Sequence, residues 1–382
     1  MNIEQYRWVA TGPAGGWEGK LQSKLGASAD LIFLFGSSRL LKERREIQAL
    51  QQCFPKARFF GCSTAGEILD TQVTDDTLVA SAIQFKNTKT QLAHTSCETP
   101  AQSLDAGKRL AAALPKEQLR HVLVLSDGLL VNGSELIRGL SSALPPDVTV
   151  TGGLAGDGDK FQETFIICGD GEPRSKMVCA LGLYGNALRV GYGSLGGWDP
   201  FGPERVITKS KGNVLYELDG KSALELYKTY LGEHAKNLPA SGLLFPLVVR
   251  KDQQAEGVVR TILGVNEQDQ SLTFAGDVPQ GFLAKLMKAN FNRLVDGAMG
   301  AAQAGMRAME NAESELALLI SCVGRKMILK QRIEEEVEGV REILGPQAAL
   351  TGFYSYGEIS PFTPGAKCEL HNQTMTITTF SE

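Results

Sequence analysis

At 382 residues the chain exceeds the size at which a single hydrophobic core ordinarily stops growing, so two or three units are expected. Apolar residues at 43% and charged residues at 21% weigh against a disordered or fibrous chain. The net charge of -4 comes from 39 basic and 43 acidic residues interspersed along the chain, without the basic stripe that nucleic acid binding requires.

Met1 to Ala10 has neither a basic n-region nor an apolar h-region, and no apolar run reaches the ~18–20 residues of a membrane helix. A cytoplasmic location without membrane insertion is expected. Leu31 to Phe35 reads as a strand, Leu41 to Leu50 as an amphipathic helix, and Ala57 to Phe60 as a second strand. The glycine turn Gly61-Cys-Ser-Thr-Ala-Gly66-Glu67 closes this β-α-β unit. Leu78 to Phe85 alternates as a strand with one polar face. The unit then repeats: Val122 to Leu125, a helix carrying Leu136, Ile137, Leu140 and Leu144, Val148 to Thr151, and the turn Gly152 to Asp157.

Further strands are expected over 163–168, 178–184 and 188–193. A composition shift at Lys209 to Gly212 precedes a helical stretch from Ala223 to Leu231, placing a boundary near 209–216 between a domain over 1–212 and another over 213–382. Residues 281–309 read as one long, alanine-rich, mostly helical segment with Leu283, Leu286, Met287, Phe291, Leu294 and Val295 in its core stripe. A third copy runs from Leu316 to Ile320, through a helix with Ile333, Val337, Val340 and Leu344, to the turn Thr351 to Glu358. The expected fold class is mixed α/β: repeated β-α-β units in two domains, with mixed sheets and flanking helices.

Glycines after a strand commonly allow close backbone approach, so three such turns can express repeated architecture alone. The functional reading is that strand ends converge on one edge, with Glu67, Asp157 and Glu358 as corresponding rim carboxylates of a pocket. Glu67 and Glu358 stand where a P-loop needs Lys and Ser/Thr, and they would repel phosphate. Gly156 to Asp159 lacks the alternating ligands of an EF-hand.

Seven cysteines placed singly, with no C-x-x-C, read as free thiols and remove the zinc-ribbon and thioredoxin readings. Cys62, Ser63, Ser126 and Cys322 are nucleophiles by type, but none lies in a catalytic signature. Of the four histidines, His371 is the best placed to bind haem iron, just before a terminal strand, although a lone histidine is more often structural.

Together the blocks Phe60 to Glu67, Ser126 to Gly133, Thr151 to Asp157, Val259 to Glu267, Leu272 to Pro279, Ser321 to Arg325, Gly352 to Pro361 and Leu370 to Met375 resemble the FIST family, an N-terminal FIST domain followed by a C-terminal one. The resemblance implies an intracellular sensory protein, not an enzyme, that binds a small ligand. It implies signalling in trans to a histidine kinase or diguanylate cyclase, and it leaves a homo-oligomer open. Stand-alone members include haem-binding nitric oxide sensors, which makes haem the implied cofactor and His371 its expected iron ligand. The candidate pocket residues are Gly61, Cys62, Ser63, Glu67, Asp127, Asn132, Asp157, Arg325, Tyr354 and Glu358. A receptor for an amino acid or another small polar ligand is the alternative, with Arg325 gripping a carboxylate and Glu67 or Glu358 meeting an ammonium group. A thiol-dependent enzyme using Cys62 or Cys322 is the remaining one.

Overall fold

A computed structural model describes residues 1–10, 15–18, 21–255, 257–310, 312–362 and 365–382. The first β-α-β unit pairs Leu31–Gly36 in parallel with Arg58–Ser63 across the helices Ser38–Glu43 and Arg45–Cys53. The second pairs Leu119–Ser126 with Thr149–Leu154 across Gly133–Ala143. The third pairs Leu316–Cys322 with Ala349–Ser355 across Val323–Leu329 and Ile333–Leu344. Leu31–Gly36 and Leu316–Cys322 are buried at every position, which explains their largely apolar sequence. Side-chain caps start two of the helices: Ser37 accepts from the Leu40 N–H, and Asn132 from the Glu135 N–H at 3.1 Å.

Two antiparallel strands widen each sheet beside the unit's first strand. They are Leu78–Gln84 with Asn2–Val9, Met177–Tyr184 with Lys89–Ser96, and Met375–Ser381 with Arg189–Leu195. Each unit then sends its next strand to a different sheet. Glu67–Leu69 leaves the first unit to pair with Ala349–Ser355 of the third. Gly357–Pro361 leaves the third for Thr149–Leu154 of the second, and Ile166–Gly169 leaves the second for Arg58–Ser63 of the first. The exchange closes in a ring, so no sheet is complete without another unit's chain. Phe33, Phe35, Leu123, Leu125, Ile320 and Phe353 meet in the core between the sheets, with Phe35 stacked on Phe353 at 4.8 Å.

A fourth sheet is built from strands between Asp199 and Lys288 and has its own core around Ile207, Leu215 and Phe274. Strands from both sides of residues 212/213 share two of the other sheets. The mixed α/β class expected from the sequence is what the chain adopts.

Three expectations change. Gly61, Gly152 and Gly352 lie inside strands rather than in turns, because the parallel neighbour stays paired to the end of each unit. A Cβ on these glycines would stand 1.8, 1.8 and 1.9 Å from the carbonyl oxygens of Leu34, Val124 and Leu319, so the repeated residue serves close strand approach. Gly61→Ala is therefore expected to cost about 1–3 kcal/mol of stability through overpacking. Gly264, with open space around its Cβ position, is the control whose replacement by Ala should barely move the urea midpoint.

The segment 281–309 is not one helix. Leu283–Lys288 is a strand held between Asp199–Lys211 and Leu247–Arg250, and the helix is Phe291–Ala308, with Phe291 exposed. Cross-strand pairing on both sides outweighs the helical spacing of Leu283, Leu286 and Met287. Cys168 and Cys179, on Ile166–Gly169 and Met177–Tyr184, form a disulfide, against the free-thiol expectation. Among the described residues no helix is long and apolar enough to cross a membrane.

Candidate functional site

The exchanged strands bring the three corners into direct contact. Ala65 N–H donates to the Tyr354 carbonyl and Tyr354 N–H to that of Gly66, both at 2.8 Å, joining the first corner to the third. Gly156 N–H donates to the Ser63 carbonyl at 2.9 Å and Gly158 N–H to that of Thr64 at 3.1 Å, joining the second to the first. Tyr356 N–H donates to the Leu154 carbonyl at 3.2 Å, completing the ring. The corners thus clasp one another backbone to backbone. The space for a guest lies beside the first corner, in an open cleft of about 490 Å³. That volume is in the range of small-molecule sites. A recess of about 20 Å³ in the fourth sheet, near Phe201 and Tyr227, has room for little more than one water.

Every unit contributes to the cleft wall. The first supplies Ser37 to Arg39, Thr64 to Glu67, Asp75 and Asp76; the second supplies Asp157 to Lys160; the third supplies Val323, Lys326 and Met327 from one helix. Glu67 is buried at its back, accepting from the Thr64 hydroxyl, the Thr77 N–H at 3.1 Å and the Thr77 hydroxyl at 2.7 Å. Burial outweighs these donors and pushes its carboxyl up to about 7. Asp157 is committed to its own loop, accepting from the Tyr356 hydroxyl and from the N–H groups of Gln162 and Glu163 at 2.8 Å each.

Lys326 spans two units. Its ammonium donates to the Ala65 carbonyl at 2.8 Å, pairs with the exposed Asp75, and lies 5.6 Å from the centroid of the Tyr354 ring. Arg39 forms a second ion pair at the mouth, donating to Asp76 and Glu43 at 2.8 Å each. Three cationic side chains thus face five carboxyls along this wall.

Of the residues singled out from the sequence, Glu67 and Asp157 line the cleft and the others do not. Arg325 is the clearest correction. It is fully buried, and its guanidinium donates to Glu336 at 2.7 and 3.0 Å, to the Gly196 carbonyl at 2.5 Å and to the Leu294 carbonyl at 2.6 Å. Tyr354 belongs to the same network, its hydroxyl donating to Glu336 at 2.7 Å.

Glu358 repeats the setting of Glu67. It accepts from Ser355 at 2.6 Å and from the Thr374 N–H and hydroxyl at 3.1 and 3.0 Å, and burial pushes it up to about 8. It faces the third unit's own loop rather than the cleft. Asp127 accepts from the N–H groups of Leu129 at 2.9 Å and Leu130 at 2.8 Å, and Asn132 caps its helix. The Ser63 hydroxyl accepts from the Phe165 N–H at 2.8 Å, while Gly61 packs against Leu34. Cys62 is wholly buried, and burial drives its thiol well above the usual range. Cys322 is also buried, with its thiol pushed up.

His371 does not fit the role of a haem ligand. Its ring is fully buried, packed edge-on against Phe362 at 4.2 Å, and its Nε2 bonds the Ser360 carbonyl at 2.7 Å. Only Nδ1 remains without a partner, and a ring with no exposed surface offers iron and a porphyrin face no approach.

The residues missed from the sequence are Lys326, Lys160, Arg39, Asp75 and Asp76. The signal for Lys326 was present, because Arg325 and Lys326 are adjacent on a helix and point about 100° apart. Arg325 turns inward to Glu336 and Lys326 turns to the cleft.

The chain is 23% identical over 350 residues to an uncharacterized protein of Methanocaldococcus jannaschii, covering 84% of this chain. It spans 65% of that relative's length. Among solved structures, a chorismatase superposes over 100% of this chain and 98% of its own at 10% identity and a TM-score of 0.35. The cyanuric acid hydrolase from A. caulinodans covers 99% and 98% at 8% identity and a TM-score of 0.36. The model of the FIST N domain matches residues 30–221 and that of the FIST C domain residues 223–361. The chain belongs to the FIST family of sensory, small-ligand-binding signal-transduction domains.

Proposed function

We propose that this protein is a receptor for a zwitterionic small molecule of the amino-acid class, bound in the cleft beside the first corner, and that it binds its ligand without turning it over. The observation that carries this reading is the Lys326–Asp75 pair at the cleft wall, a cation and a carboxylate already in contact. A ligand carboxylate can replace Asp75 on the ammonium, leaving Asp75 to meet the ligand's own ammonium group. With carboxyls outnumbering cations on the wall, a simple polyanion is disfavoured and a charge-balanced guest is not. Cys62 and Cys322, the thiols of the enzyme alternative, are buried away from this wall.

The readout follows from the construction of the cleft. Its walls come from all three units, so a guest that bridges them binds one relative arrangement better than another, and that difference is the source of a signal. A histidine kinase or diguanylate cyclase acting in trans remains part of the proposal as the protein that reads it. With His371 enclosed, a haem-based nitric oxide response has no iron ligand at that position.

The test is isothermal titration with a panel of free amino acids, paired with thermal unfolding. At least one is expected to bind and raise Tm in proportion to ln(1 + [L]/Kd). Lys326→Ala should weaken that binding by at least about ten-fold, the loss of a charge-assisted bond of ~1.5–3 kcal/mol. A panel in which nothing binds, or a Lys326→Ala protein that binds unchanged, overturns the reading.

A further inference from the structure

Resting on that reading, we propose that the cleft selects zwitterions carrying an apolar side chain, and that Met327 is the residue that sets this preference. Lys326, the cation assigned to the ligand carboxylate, shares its helix with Val323 and Met327, which also line the cleft. These two stand at i and i+4, so their side chains lie along one short stripe of the helix, about one turn or ~5–6 Å long, with Val323 mostly buried and Met327 supplying most of its open apolar surface. Met327 keeps 40% of its surface exposed, one of few large hydrophobic residues to do so among the described residues. Most of the remaining wall consists of hydroxyl, carboxyl and cationic groups, with Ala65 a small apolar exception.

The geometry joins two chemistries at adjacent residues. A carboxylate held by Lys326 puts the ligand's α-carbon next to the Val323–Met327 stripe, and its side chain then either covers that stripe or projects into solvent. An aliphatic or thioether side chain of three or four carbons matches the stripe's length and removes apolar surface from water on both partners. A carboxylate side chain would instead meet a wall on which Asp75, Asp76 and Asp159 outnumber Arg39 and Lys160. Methionine at the contact position favours a range of apolar shapes over a single one, because its unbranched thioether adapts to its partner.

The experiment is isothermal titration of the full chain with glycine, alanine, leucine, methionine, phenylalanine and aspartate at one salt concentration. Each buried methylene adds roughly four-fold in affinity, so partly covered leucine or methionine should bind about ten-fold or more tighter than alanine, with aspartate weakest. Met327→Ser should lower the leucine-to-alanine affinity ratio by about ten-fold. Because Met327 is partly exposed, the variant should keep the wild-type circular dichroism spectrum. If alanine binds as tightly as leucine, or the ratio is unchanged in Met327→Ser, this preference is refuted while the receptor reading stands. If none of the six binds while another free amino acid does, the preference falls and the receptor reading stands; if no free amino acid binds, both fall.

Discussion

Arg325→Ala is expected to destabilise the protein by about 3–5 kcal/mol, read as a lower urea midpoint with an unchanged slope. The guanidinium is fully enclosed, and its loss strands the Glu336 carboxylate without its cation and leaves the Gly196 and Leu294 carbonyls without their donor. Glu336 would keep only the Ser321 and Tyr354 hydroxyls, at 3.1 and 2.7 Å. Arg325→Lys should recover little, because one ammonium cannot reach a carboxylate and two carbonyls in the directions that a planar fork serves. Replacing the pair by Met and Leu should recover part of the loss but stay below wild type, since the Ser321 and Tyr354 hydroxyls and the Gly196 carbonyl would still lose the partner they have here. A penalty below about 1 kcal/mol for Arg325→Ala would contradict the buried geometry and return Arg325 to the ligand-binding candidates.

The second large effect is a pH dependence set by two glutamates and two histidines. Burial raises Glu67 to about 7 and Glu358 to about 8 from an ordinary value of 4.5. The folded state therefore binds more protons than the unfolded state above pH 4.5, and stability falls as pH rises until each carboxyl has ionised. Burial acts oppositely on the histidines, lowering His121 to about 3 and His371 to about 4 from 6.5. Their contribution is complete above pH 6.5 and is lost as pH falls below it. The two pairs offset each other between about pH 4.5 and 6.5, giving a plateau there and a decline from about 6.5 to 8 on the order of 3 kcal/mol. In Glu67→Gln/Glu358→Gln the decline above pH 6.5 should vanish, and stability should instead rise through the former plateau. Each glutamine can keep its oxygen on the threonine donors and turn its amide toward the Thr64 or Ser355 hydroxyl, which can accept. Parallel melting curves for wild type and double variant across pH 5 to 9 would refute this assignment.

The repeated units were legible because each rests on local signals. An unbroken apolar run, a 3.6-residue apolar spacing and a glycine mark the same order of elements three times. The long segment over 281–309 was misread because Leu283, Leu286 and Met287 satisfy a helical period and a strand equally well over so few residues, and the partner strands at Asp199–Lys211 and Leu247–Arg250 decided between them. The disulfide escaped for a related reason: Cys168 sits on an exchanged strand whose neighbours no spacing reveals.

For the site, the three corners meet one another, and they spend their backbone groups on that contact rather than on a guest. Glu67 and Glu358 show how far pattern alone reaches. Both sit in the same hydroxyl clasp, an assignment their shared G-x-x-x-x-G-E motif supports, yet only Glu67 faces the cleft. The difference comes from what packs outside each corner, which a shared glycine and glutamate spacing cannot encode.

By itself, then, the amino-acid order determined the β-α-β units, their repeated glycines and the family, because these depend on residues close together in the chain. Only the folded chain decided which of Arg325 and Lys326 turns inward, that His371 is sealed, and that Lys160, Asp75 and Met327 share a wall. Those outcomes depend on the ring of exchanged strands, where residues hundreds of positions apart compete for the same hydrogen bonds and the same buried space.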